Sequence, residues 1–222
     1  MRPVLVVTGT RREGAVLDGA GIKVVAGGGD AAFLARELTR EAPGAVGIVS
    51  FGMAGALHPD LRIGDWVIGS SVMGQGAAFT CDPQWIAALS VKLPAARKGP
   101  VYADGRLIAA ASDKISLHQR MGAFAADMES HLAARAAAEA GLPFAVLRCI
   151  SDEAGVSLPP AIAVAMAPGG GLALGRIVMS VIRYPSQLTD IIHSVSGFRR
   201  AYAALSIGTR AVGTRLAFDR SA

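Results

Sequence analysis

Residues 124–155, FAADMESHLAARAAAEAGLPFAVLRCISDEAG, carry Asp127, Glu129 and Asp152 among alanines and other apolar residues. A carboxylate is costly to bring out of water, so acids at the edges of buried strands call for a reason. The apolar run 144–150 reads as a strand ending at Ser151-Asp152, and in a parallel sheet the carboxyl ends of the strands form the ligand crevice. Asp152 then projects into a pocket. The stretch 123–127 reads as a short strand running into a helix over 129–140, which brings Met128 and Glu129 to the same rim. Two carboxylates then face one cavity. Plainer roles stay open. Asp127 or Glu129 can cap the helix, the preferred reading for Asp127, and Asp152 can cap a following turn.

Other motifs exclude other chemistries. Gly27-Gly28-Gly29-Asp30-Ala31-Ala32 follows an apolar run and satisfies a relaxed dinucleotide pattern. That pattern also needs an acid at the end of the next strand to hold the ribose, where the chain reads Ser50-Phe51-Gly52. No phosphate loop of the form G-x-x-x-x-G-K-[ST] occurs. His58, His118, His131 and His193 are dispersed, without the paired spacing of a metal site, and each reads as a surface or supporting group. No metal or redox cofactor is expected.

These residues need a frame to hold them. Short apolar runs at 3–8, 22–26, 45–50, 65–69, 107–111 and 144–150 predict strands, several followed by helical patterns, which signals an α/β sheet. Segment 31–41 predicts a helix with Phe33, Leu34 and Leu38 on one face, closed by Pro43-Gly44. The alanine-rich 129–140 predicts another, ending at Gly141. Over 184–206, Leu188, Ile191, Ile192, Val195, Phe198, Tyr202 and Leu205 recur three or four apart, an amphipathic helix. A further helix is expected over 172–182, entered through Gly169–Gly171. Neither repeat nor linker is visible, so one domain over 1–222 is expected, with 172–222 a helical, basic C-terminal region.

Composition sets the class. With 222 residues, 52% of them hydrophobic, the chain is long enough for one substantial core. No export signal is visible before the apolar run at Val4, and prolines and glycines interrupt 156–182, so a cytoplasmic chain without a transmembrane helix is expected. Cys81 and Cys149 read as two reduced thiols. The net charge of +5 is concentrated in the tail, where seven arginines from Arg176 onward face only Asp190 and Asp219. Without interleaved aromatics this is a solvated helical face rather than a nucleic-acid surface.

Residues 50–68, SFGMAGALHPDLRIGDWVI, followed by ADMES and RCISD, resemble in order and spacing the purine nucleoside phosphorylase and 5'-methylthioadenosine/S-adenosylhomocysteine nucleosidase superfamily, over about residues 3–182. Within it the chain is most similar to the hopanoid-associated phosphorylases, whose substrate is an adenosine carrying a hopane lipid at its 5' position. The resemblance implies a three-layer αβα sandwich with a mixed central sheet. It also implies cleavage of the N-glycosidic bond of a 5'-substituted adenosine, releasing adenine and a ribosyl or phosphoribosyl product, without cofactor unless phosphate is a co-substrate. A soluble nucleoside such as methylthioadenosine is the rival substrate, and a membrane-surface nucleotide-binding module the rival without catalysis.

The same resemblance assigns roles. Asp152 becomes the general acid for the departing base, its proton retained through burial or a neighbouring negative charge. Glu129 becomes the anion that accepts hydrogen bonds from the ribose hydroxyls and favours positive charge on the sugar. Met128 packs under the ribose, and amides around Gly52, Met53 and Ala54 line the sugar or acceptor site. Ser151 and Ile115, the latter in the base-contacting segment before the ADMES motif, complete the substrate contacts. Glu13 is the residue that orients water in a hydrolase, while Arg11 and Arg12 are the phosphate ligands of a phosphorylase. Ser50 occupies the place where some nucleoside phosphorylases carry an arginine. Relatives usually build this site near a dimer interface, so a homodimer is expected, and the basic tail is a surface for peripheral membrane contact.

Overall fold

The computed structural model describes residues 2–17, 19–74, 76–161 and 188–219. Eight strands form one mixed sheet: β1 (Val4–Thr8), β2 (Ile22–Ala26), β3 (Gly47–Ala56), β4 (Trp66–Gly74), β5 (Ala77–Thr80), β6 (Arg97–Ala103), β7 (Ala125–Asp127) and β8 (Phe144–Asp152). The helices are α1 (Arg11–Gly14), α2 (Ala31–Glu41), α3 (Pro83–Lys92), α4 (Ala111–Met121), α5 (Ser130–Ala140) and α6 (Leu188–Val212). Strand β3 pairs in parallel with β1 and β8 and antiparallel with β7. Because β8 also pairs with β4 and β7 reaches β4 through β6, strands β3, β8, β4, β6 and β7 close into a ring. The pair β1 and β2 extends from β3, and β5 extends from β4.

Alternation along the strands makes the layers. Val4, Val6, Val49, Phe51, Leu147 and Cys149 face a core shared with Trp85 and Leu89 of α3 and Ala201 and Leu205 of α6. Leu5, Val7, Ile48, Val146 and Ile150 face the opposite core, with Leu34 and Leu38 of α2 and Ala133, Ala134 and Ala137 of α5. A period of two on central strands with helices on both faces is the αβα sandwich expected from the sequence. Local signals set the ends of the helices. Asp30 accepts from the Phe33 amide to start α2, Asp82 accepts from the Trp85 amide to start α3, and α5 stops at Gly141 in the left-handed conformation.

Several elements differ from the expectation. Strands β3, β4 and β8 run farther than 45–50, 65–69 and 144–150, because small and polar residues at their ends still pair along the ladder. Strands β5 and β6 and helices α3 and α4 were not anticipated, and 107–111 is not a strand but the lead into α4. Polar and charged residues break the apolar runs of β6 and α4, and only their buried faces reveal the period. The amphipathic C-terminal helix extends to Val212. The helix expected over 172–182 lies outside the described residues. Among the described residues no helix is long and apolar enough to cross a membrane.

Candidate active site

Glu13 is anchored from two elements at once, α1 and β3. It is the third residue of α1, where a capping box joins it to Thr10. Its Oε2 accepts from the Thr10 amide at 2.7 Å and the Thr10 hydroxyl at 2.9 Å, and its Oε1 accepts from the Met53 amide on β3 at 2.7 Å. The side chain crosses to β3 over Gly52, whose φ of +145° lies in the region open to glycine. A methyl group there would come within 2.6 Å of Glu13 Oε1 and 3.0 Å of Arg148 Nη1. The glycine turn of β3 is thus the floor on which an acid and a guanidinium meet.

Glu129 approaches from the start of α5. A methyl group on Gly9 would lie 3.2 Å from one Glu129 carboxylate oxygen and 3.2 Å from Glu13 Oε2, so both acids close on the same glycine. One on Gly27 would lie 3.5 Å from Glu129 Cγ. The glycine run that imitates a dinucleotide motif therefore makes room for this side chain, while Asp30 caps α2. Withdrawal from water raises the Glu129 carboxyl to about 8, reinforced by Asp127 and Glu13 and opposed by Arg148. Burial and its acidic neighbours thus favour the protonated form of Glu129, expected as an anion, before any ligand enters. Met128 beside it is half-buried.

Beneath these acids lies a buried network. Arg148, completely enclosed at the centre of β8, places Nε 3.0 Å from Asp127 Oδ2, an ion pair without hydrogen-bond alignment. Its Nη2 donates to the hydroxyls of Ser50 at 2.5 Å and Ser130 at 3.0 Å, while Nη1, beside Gly52, has no hydrogen-bond partner. Asp127 accepts from the amides of Glu129 at 2.9 Å and Ser130 at 2.7 Å, which is the helix-starting role read from the sequence. The guanidinium that Ser50 lacks is thus supplied by the neighbouring strand. Arg148 was missed, although a charge inside the run FAVLRCIS was its visible signal.

Asp152 stands farther along the same rim. It pairs with Gly55 after a register shift in β3, and a methyl group on Gly55 would lie 3.0 Å from its Oδ2. Gly52 and Gly55 are three residues apart, roughly 10 Å along an extended strand. The surroundings of Asp152 differ from the expectation: its charged neighbour is a cation. Lys114 Nζ donates to Oδ2 at 2.5 Å, and the Ser151 hydroxyl donates to Oδ1 at 2.7 Å while lying 3.2 Å from the Ala54 carbonyl. Lys114 sits on the buried face of α4, whereas Ile115 turns outward and is 44% exposed. The buried face of α4 is made by Lys114 and Leu117, three residues apart.

The acids and arginines of α1 separate cleanly. Glu13 is buried, while Arg11 and Arg12 are exposed, and Arg12 lies over the Tyr202 ring of α6, 4.7 Å from its centroid. The structure brings Glu13, Glu129, Gly52, Met53 and Arg148 together, with Ala54, Ser151 and Asp152 one step along β3. It does not bring Arg11, Arg12 or Ile115 there. His118 packs against His58, ring centroids 4.8 Å apart. No group of histidines, cysteines and acids among the described residues could hold a metal ion. Cys81 and Cys149 are free thiols that burial pushes up to about 12, too high for reactive thiolates at neutral pH.

Comparison with known proteins gives this arrangement its context. No curated protein sequence matches the chain. Solved structures match its fold over nearly their whole length. The 5'-methylthioadenosine/S-adenosylhomocysteine nucleosidase of Helicobacter pylori, bound to butyl-thio-DADMe-Immucillin-A, superposes with a TM-score of 0.63 at 15% identity, covering 96% of this chain and 98% of that one. The S-adenosylhomocysteine nucleosidase of Streptococcus pyogenes, in complex with 5-methylthiotubericidin, gives 0.59 at 18% identity, with 91% and 96% covered. The futalosine hydrolase of Helicobacter pylori gives 0.60 at 15%, with 82% and 97% covered. A family profile described as the phosphorylase superfamily matches residues 2–182, and the chain belongs to that superfamily.

Proposed function

We propose that the protein hydrolyses the N-glycosidic bond of a 5'-substituted adenosine. One observation carries the reading: Glu13 and Glu129 converge on Gly9 while Asp152 stands farther along β3 at Gly55, which provides one station for a sugar and its attacking water and another for the base. As the C1'–N9 bond breaks, its electron pair passes to the purine, and Asp152, which first takes up a proton from solvent because its carboxylate is paired with Lys114, delivers that proton to N7. Water bonds to C1', and its proton passes to Glu13. Ribose hydroxyls donating to Glu129 favour its ionised form, so the anion that suits a cationic sugar is generated by the ligand itself. Water is favoured as the acceptor because Glu13 is buried and Arg11 and Arg12 are exposed.

The 5' substituent we favour is a lipid such as the hopane of adenosylhopane. On α6, Ile191, Ile192, Val195, Arg199 and Arg200 line a groove of about 600 Å³. The opposite side of that helix rests on the strand that carries Asp152, a methyl group on Gly197 lying 3.1 Å from the Ser151 carbonyl, so the groove faces outward above it. The two arginines beside it suit substrate presented at an anionic membrane surface.

Adenine release from methylthioadenosine and from adenosylhopane, measured in phosphate-free buffer and with added phosphate, tests the reading. Release without phosphate, faster on the lipid-linked nucleoside, and its loss by at least about 100-fold in Asp152→Asn are expected. Release that depends on phosphate would overturn the choice of water and point to Arg148 as the acceptor's anchor. No release from any adenosine would overturn the whole.

A further inference from the structure

We infer that Lys114 is a positioning residue for Asp152, the side chain through which the proton donor is aimed and electrostatically set. The inference rests on the hydrolytic reading above and extends it to a residue outside the cleft's acids. Lys114 is fully buried, and all three of its ammonium protons are spoken for: Asp152 Oδ2 at 2.5 Å, the Val156 carbonyl at 2.8 Å and the Glu153 carbonyl at 3.1 Å. The two carbonyls fix the ammonium to the backbone that follows β8. Two further bonds fasten that segment to the approach of α4: the Ala111 amide donates to Ser157 Oγ at 3.0 Å, and the Leu158 amide to the Ala109 carbonyl at 2.9 Å.

The consequence for Asp152 is geometric and electrostatic together. With Lys114 on Oδ2 and Ser151 on Oδ1, both oxygens are held and the carboxyl plane cannot turn freely about its last torsion. An aspartate at the end of a strand would otherwise choose among rotamers, and a displacement of the donor by an ångström is severe for proton transfer. The buried ammonium also lies where negative charge collects on the departing purine, one carboxyl group away. The other ionic pair near this segment, Arg62 with Glu153 at 4.0 Å, is largely solvated and has little influence on it.

The test compares the full-length protein with Lys114→Met, Lys114→Arg, Asp152→Asn and the neutral pair Lys114→Met/Asp152→Asn, using adenine release and nucleoside binding. Lys114→Met should lower kcat by about 100-fold with KM within about threefold of wild type. It should also move the alkaline limb of the kcat profile to higher pH, since removing the cation withdraws the attraction that favours the ionised acid. Lys114→Arg, which keeps the charge, should recover part of kcat and restore the profile. The double variant, with no unpaired buried charge, should fold and bind nucleoside yet be no slower than Asp152→Asn alone. Wild-type kcat and pH profile in Lys114→Met, or a double variant whose losses multiply, would overturn the inference. If Lys114→Met does not fold, a double variant that folds and binds nucleoside yet releases adenine at least about 10-fold more slowly than Asp152→Asn alone would do so. An Asp152→Asn variant that remains active would instead overturn the assignment of the proton donor.

Discussion

Glu129→Gln removes an acid whose titration the fold displaces from 4.5 to about 8, chiefly by taking its carboxyl out of water. Between those values the native chain holds a proton that the unfolded chain has released, so the free energy of unfolding falls by about 1.4 kcal/mol for each rise of one pH unit. The stability contributed by this acid is complete below pH 4.5 and is lost as the pH rises through about 8. The ceiling over the whole window is about 5 kcal/mol. Because Glu129 keeps part of its surface accessible, hydration from the cleft brings the expected change to about 2 to 3 kcal/mol. Urea unfolding of both chains at several values between about pH 5 and pH 9 measures it. His58 and His131, which burial holds below the usual histidine range, titrate in the opposite sense. They cancel in the difference between the two chains. The glutamine variant should be the less stable chain, or equal, at the acid end and gain on wild type as the pH rises. A difference that stays constant across this range would refute the electrostatic account of the paired glutamates.

Two further substitutions probe the floor of the cleft. Arg148→Met strands Asp127 as a buried carboxylate without its cation, and should cost about 3 to 5 kcal/mol in urea unfolding at neutral pH; a loss below about 1 kcal/mol would show that the pair is dispensable. Gly52→Ala places a methyl group 2.6 Å from Glu13 Oε1 on a residue whose φ is +145°. It should lower kcat for base release by about 100-fold with a stability loss of about 1 to 3 kcal/mol, whereas a wild-type kcat would mean that Glu13 is free to work from elsewhere.

Much of this protein follows from local pattern. The continuous apolar runs of β1 and β8, the helical period of α2 and the alanines of α5 each have a nearby cause, and so do the caps at Asp30 and Gly141. The same holds for the likeness carried by Gly52–Gly55, Asp127–Ser130 and Ser151-Asp152, which is a matter of order and spacing along the chain. What tertiary structure decided is which groups meet and which of them hold protons. Arg148 lies 21 residues from Asp127 in sequence and Lys114 lies 38 from Asp152, so neither partner is local. Burial and neighbouring charge alter an acid's titration over a few ångströms of space, whatever the distance along the chain. Hence Glu129, read as an anion, is shifted toward its protonated form by burial and neighbouring acids, and Asp152, read as a protonated acid among apolar or negative neighbours, is paired with an ammonium.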